Sequence, residues 1–91
     1  MVGRVNAERP SIKGRILTTD GSGVLNAIVT LTSTTGKIQS MRSGEGGAFE
    51  FTRVVAGETY TLTVQSKRFR YQPRTVSLTG SVVELDMFGR L

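Results

Sequence analysis

Apolar side chains return at every second position in six short stretches of this chain, and that period of two fixes its fold class more tightly than any other feature. Ile12, Gly14 and Ile16 alternate with Lys13 and Arg15, and Ala27, Val29 and Leu31 alternate with Ile28, Thr30 and Thr32. Phe49 and Phe51 flank Glu50, Tyr60, Leu62 and Val64 interleave with Thr61 and Thr63, and Val76 and Leu78 flank Ser77. The last stretch places Val83, Leu85 and Met87 around Glu84 and Asp86. Each reads as a β-strand with one dry face and one wet one. The residue types agree: Val, Ile, Thr, Tyr and Phe make up 32 of 91 residues and Ala only four, and β-branched and aromatic side chains suit a pleated surface better than a helix.

A seventh, weaker strand is predicted from about Lys37 to Arg42. Ile38 and Met41 break its alternation, which points to an edge strand or one carrying a bulge. Gly-rich turns separate the stretches at 19–23, 34–36, 43–47, 56–58 and 79–81. Pro10 and Pro73 each precede a strand, where a missing amide donor does no harm. An apolar stripe of helical period is nowhere sustained, so helix is limited to a single turn. Seven such strands can bury their apolar faces only against one another, as a two-sheet sandwich or a small barrel, and the sandwich is the expectation. Phe49, Phe51 and Tyr60 would form its aromatic centre.

Ninety-one residues suffice for one domain, predicted over 11–91 with 1–10 as an N-terminal extension or linker. With no Cys and no His the chain has no disulfide framework, no thiolate or imidazole metal site and no Ser-His-Asp machinery, and no cofactor is expected. No segment has the apolar length of a membrane span or a signal-peptide core, so membrane insertion is not expected. The net charge is +5, and Lys67, Arg68, Arg70 and Arg74 fall within eight residues without an acid among them.

The stretch Ile12-Lys-Gly-Arg-Ile, then Asp20-Gly, Val24-Leu-Asn-Ala-Ile-Val-Thr-Leu, Gly46-Gly-Ala-Phe-Glu-Phe and Ala56-Gly-Glu-Thr-Tyr-Thr-Leu-Thr-Val resembles the carboxypeptidase regulatory-like domain over about residues 11–88. The resemblance implies an all-β fold: a seven-stranded antiparallel Greek-key β-sandwich of the transthyretin (prealbumin) type. It also implies a non-catalytic module of exported carboxypeptidases, adhesins, outer-membrane receptors and surface repeat proteins. Carried onto this chain, it places Gly14 where the first strand meets the opposite sheet, Ala27, Val29 and Leu31 in the core, Phe49 and Phe51 as the central pair, and Gly57 and Tyr60 in the following turn and strand. Where family members often read Gly-Tyr after the fifth strand, this chain reads Ser66-Lys-Arg-Phe-Arg-Tyr-Gln-Pro-Arg, similar to an aromatic-x-Pro variant of bacterial surface repeats.

That run, Lys67, Arg68, Phe69, Arg70, Tyr71 and Arg74, is the one segment with the composition of a ligand-binding patch, pairing cations for anionic groups with rings for stacking. The competing structural reading has Phe69 or Tyr71 tucked under the sandwich to close one end of the core, with the cations left in water. Glu50, Glu84 and Asp86 fall at outward positions, where a solvated face paired across strands with Arg15 or Arg42 is a better reading than paired catalytic carboxylates. The same parity counts against an internal amide cross-link among Lys13, Glu50 and Asp86, because that chemistry needs desolvated groups. Asp20 in its Gly-rich turn offers one carboxylate where calcium needs six to eight oxygens, so bonding to its own turn is expected.

The expectation is therefore a protein without catalytic, metal or cofactor residues: a structural or interaction domain of a larger exported or cell-surface bacterial protein. Its partners would be the other domains of that protein, its location extracellular, cell-surface or periplasmic, and its state monomeric. The alternative is a module that binds an anionic or carbohydrate polymer through 67–74, with nucleic acid not expected because no recognised nucleic-acid motif accompanies the run.

Overall fold

The computed structural model describes residues 10–79 and 82–90. Residues 1–9 of the expected N-terminal extension lie outside that range, as do Gly80, Ser81 and Leu91. Seven strands follow in chain order: β1 (Ser11–Leu17), β2 (Ile28–Ser33), β3 (Ile38–Arg42), β4 (Ala48–Phe51), β5 (Thr59–Gln65), β6 (Arg74–Ser77) and β7 (Val82–Phe88). A single 3-10 turn at Glu45–Gly47 precedes β4. The strands form two sheets, β4-β1-β7 and β3-β2-β5-β6.

The four-stranded sheet is antiparallel throughout. The three-stranded sheet is mixed, which corrects the expectation of an all-antiparallel sandwich: β1 pairs antiparallel with β4 but parallel with β7, from Ser11↔Val82 to Leu17↔Phe88. Alternation of apolar residues is the same for either direction, so periodicity could not distinguish them.

The weak third strand is an edge strand. Its pairing with β2 runs unbroken from Thr32↔Ile38 to Ile28↔Arg42, with no bulge, and Ile38 stands 68% exposed while Met41 turns inward against the core. Side chains from this edge close the gap to the other sheet. Gln39 Nε2 donates to Arg53 O at 2.8 Å, and the free-edge amide of Glu50 points at Met41 Sδ at 3.4 Å.

Between the sheets lies one apolar core that includes Ile12, Ile16, Val29, Leu31, Phe49, Phe51, Leu62, Leu78 and Met87. Every one of these sits at the inward parity of its strand or directly after it. Tyr60 joins them, and its hydroxyl accepts the Val55 amide at 2.8 Å, which stitches the 52–58 connection to β5. The resemblance placed Gly14 against the opposite sheet. The structure instead sets it against its own neighbour, since a Cβ built there would overlap the backbone oxygen of Leu85 on β7.

Ser43 is a buried polar residue with its hydroxyl and both backbone polar groups engaged. Its Oγ donates to Val24 O at 2.6 Å and accepts the Ala27 amide at 2.9 Å, while its backbone bonds Asn26 and Ala27. These four bonds pin the 24–27 loop, where Asn26 holds a positive φ of 66° that Asn tolerates better than most residues.

Candidate functional site

Because β1, β3, β5 and β7 all run the same way, their ends and the connections 18–27, 43–47 and 66–73 gather at one pole, called here the distal end. The basic run falls here. Arg42, Lys67, Arg68, Arg70 and Arg90 lie at this pole, opposed among the described residues by Asp20 and Glu45, while Arg74 at the start of β6 stands level with Leu62 in the middle of β5.

The structure does not keep 67–74 as one patch. Ser66 Oγ accepts the amides of Arg68 and Phe69, each at 3.4 Å, so the chain turns immediately after β5. Two residues later Arg70 and Arg90 exchange backbone hydrogen bonds of 2.7 and 2.9 Å in an isolated antiparallel bridge. Tyr71 then folds back, its hydroxyl donating to Leu17 O at 3.0 Å and its ring against the core. Gly89 makes room for that ring: a Cβ at this position would lie 2.5 Å from Tyr71 Cζ. Burial raises the Tyr71 phenol above its ordinary range. Of the two candidates for closing the core, Tyr71 is the one that does so.

The bridge divides the run. On one side Lys67, Arg68 and Phe69 line a groove with Leu25, Ile28 and Arg42; on the other, Arg70, Tyr71 and Pro73 line a smaller hollow with Arg90. Arg74 belongs to neither, since it is the first residue of β6, paired with Leu62 and exposed. Within the groove, the Arg68 guanidinium lies 5.9 Å from the Phe69 ring centre, at the outer limit of a cation–π contact. Leu25 is 59% exposed on its pinned loop and Ile28 38% exposed. The groove thus has an apolar floor and a rim of three cations, Arg42, Lys67 and Arg68, with no acid lining it. Sequence reasoning missed Leu25, Ile28, Arg42 and Arg90. Ile28 carried a signal, being an apolar residue outside the buried parity of Ala27, Val29 and Leu31, whereas Leu25 shares that parity and carried none.

The carboxylates singled out in the sequence are distributed as a charged ladder on the outer face of the three-stranded sheet. Lys13 stands in register between Glu50 and Glu84, with Nζ 4.0 Å from Glu84 Oε2, and Arg15 stands in register with Asp86. Arg15 thus stands beside a carboxylate as expected, and Lys13 is a second cross-strand partner that the sequence reading did not name. Arg42 lies on the other sheet, opposite Ile28. Exposed pairs of this kind contribute at most about 1 kcal/mol. The three carboxylates and Lys13 face outward, where neither acid–base catalysis nor amide cross-linking finds a desolvated site.

Asp20 bonds within its own turn. The Thr18 hydroxyl donates to its carboxylate and, with the Ser22 amide, holds the carboxyl below the usual range. A carboxyl lowered in the folded state stabilises the fold above its unfolded titration range, and that contribution is lost as pH falls through the folded value. In an NMR pH titration Asp20 is expected to titrate below the ordinary aspartate range and to shift upward in Thr18→Val; an Asp20 midpoint unchanged by that substitution would contradict the turn geometry.

Against known proteins, the sequence profile of the carboxypeptidase regulatory-like domain matches residues 11–87. The chain belongs to that family. The match begins at the first residue of β1 and ends one residue short of the end of β7, so the family unit coincides with the sandwich. Among solved structures, the regulatory-like domain is similar to the C-terminal fragment of the pilus adhesin SpaC from Lactobacillus rhamnosus GG, with a TM-score of 0.55 at 16% identity. That likeness covers 89% of this chain and 45% of the adhesin fragment, so the domain spans less than half of the chain it matches. No curated protein matches the sequence. Among the described residues, no helix is long and apolar enough to cross a membrane.

Proposed function

We propose that this regulatory-like domain is a non-catalytic structural or interaction module of a larger exported or cell-surface bacterial protein, monomeric in itself. The observation that carries the reading is the parallel pairing of β1 with β7. Chain preceding Ser11 arrives at the proximal end and chain following Phe88 departs at the distal end, so the sandwich holds its neighbours apart at opposite poles. The continuous apolar core supports the same role, and so do the charged groups kept on its outer faces. Family membership and the adhesin-like fold are consistent with a place on the cell exterior. The test is small-angle scattering of the domain fused at both ends to folded reporters. A fixed separation of at least the domain's length is expected, and reporters that collapse onto one another would defeat the spacer role.

A second reading is favoured by the groove of Leu25, Ile28 and Phe69 rimmed by Arg42, Lys67 and Arg68. Such a surface suits an anionic or carbohydrate polymer that brings both charge and an apolar face. Retention on heparin is expected to fall in Arg68→Ala and again in Arg68→Ala/Arg42→Ala, with Arg74→Ala having the smallest effect because it lies outside the groove. Elution of the parent domain at low salt, or equal losses from all three cations, would dismiss a defined site.

A further inference from the structure

We propose a further function, resting on the spacer reading above: the β1–β7 ladder is a mechanical clamp, and the domain transmits tension along the chain without unfolding. Ser11 opens β1 at the proximal end, and Phe88 closes β7 at the distal end. Tension applied through flanking chain therefore pulls β1 and β7 in opposite senses along their common axis. All seven register pairs, from Ser11↔Val82 to Leu17↔Phe88, are loaded together in shear rather than opened one at a time. Resistance to force is set by the unfolding barrier, and a barrier that requires several hydrogen bonds to break in concert is high.

Four details fit this use. β7 is an edge strand whose one partner in its sheet is β1, so its removal has to pass through that ladder. Parallel pairing is slightly weaker per residue than antiparallel, so equilibrium stability alone does not favour placing the first and last strands side by side this way. The exit is secured beyond the ladder as well. Gly89 donates its amide to Leu17 O at 2.8 Å, and Arg90 is held to Arg70 by two backbone bonds, so the chain remains anchored for two residues after β7. Inside the ladder, Gly14 admits the backbone of Leu85 at a distance no other residue would allow.

The chain contains no Cys, so single cysteines give defined attachment points. Atomic-force spectroscopy on the full chain compares pulling between the N-terminus and the C-terminus with pulling between the N-terminus and Thr79→Cys. Thr79 is exposed and lies just ahead of β7, at the proximal end, so the second geometry peels the same ladder from one end. The shear geometry is expected to unfold at a severalfold higher force. Thr52→Cys, exposed just after β4, gives a second peeling geometry through the antiparallel β1–β4 pair and is expected to be as weak. Equal forces in all three geometries, in chains whose denaturant midpoints match the parent, would overturn the clamp while leaving the spacer role intact. Reporter domains that collapse in scattering while the force anisotropy persists would do the reverse.

Discussion

Gly14→Ala is expected to lower stability by about 3 kcal/mol or more, beyond the usual range for overpacking where flexible side chains can yield. The obstacle here is not a side chain. A Cβ at position 14 overlaps the carbonyl of Leu85, and Leu85 is held at the centre of the β1–β7 ladder with three register pairs on either side. Relief requires the two strands to separate, which breaks the pairing that joins β7 to its sheet. For a domain of this size the loss corresponds to a fall in melting temperature of roughly 12 °C or more. Gly36→Ala supplies the contrast. Gly36 has a φ of +97° but open space around its Cβ position, so its substitution bears only the conformational penalty of about 1–2 kcal/mol. Thermal and urea denaturation followed by circular dichroism would compare the two. If the Gly14 variant melted no lower than the Gly36 variant, the close approach of β1 and β7 would be wrong, and the clamp with it.

That close approach marks the boundary of what the sequence discloses. Strand positions are legible because each strand buries one face, so Ile12, Val29, Leu31, Phe49, Phe51, Leu62 and Met87 announce their orientation by spacing alone. Partner and direction are not written in the same code. A strand with one buried face reads alike beside a parallel or an antiparallel neighbour, so Gly14 is visible as a gap in an apolar face, but the Leu85 backbone that fills the gap is not. The distal site divides in the same way. Lys67, Arg68 and Phe69 are conspicuous in sequence, yet their groove is completed by Leu25 from the loop before β2 and Ile28 from its first position, and their separation from Arg70 depends on a backbone bridge to Arg90. Backbone hydrogen bonds carry no side-chain signature. Ser43 is illegible for a related reason: in Ser-Gly-Glu-Gly-Gly it looks like any turn serine, and only the folded chain brings Val24 O and the Ala27 amide to its hydroxyl.

Phe51→Ala is expected to cost about 3–5 kcal/mol, the range for removing a buried aromatic ring. Phe51 is 4% exposed, stands opposite Ile12 on β1, and meets Phe49 with ring centres 6.1 Å apart and planes tilted by 55°, a favourable edge-to-face type of contact. Its loss leaves a cavity between the two sheets, in contact with the remaining core residues. Phe69→Ala removes the same ring from a half-buried position on the groove wall, beyond the end of β5, and is expected to cost less than about 1 kcal/mol. Residue type is constant between the two, so the difference in denaturation midpoint measures location alone. The pair also separates the two readings of the basic run: a Phe69 variant destabilised as severely as the Phe51 variant would make that ring part of the core and remove the groove wall from any role in binding. A Phe69 variant that keeps the parent's midpoint but loses retention on an anionic polymer would assign the ring to the surface it is proposed to serve.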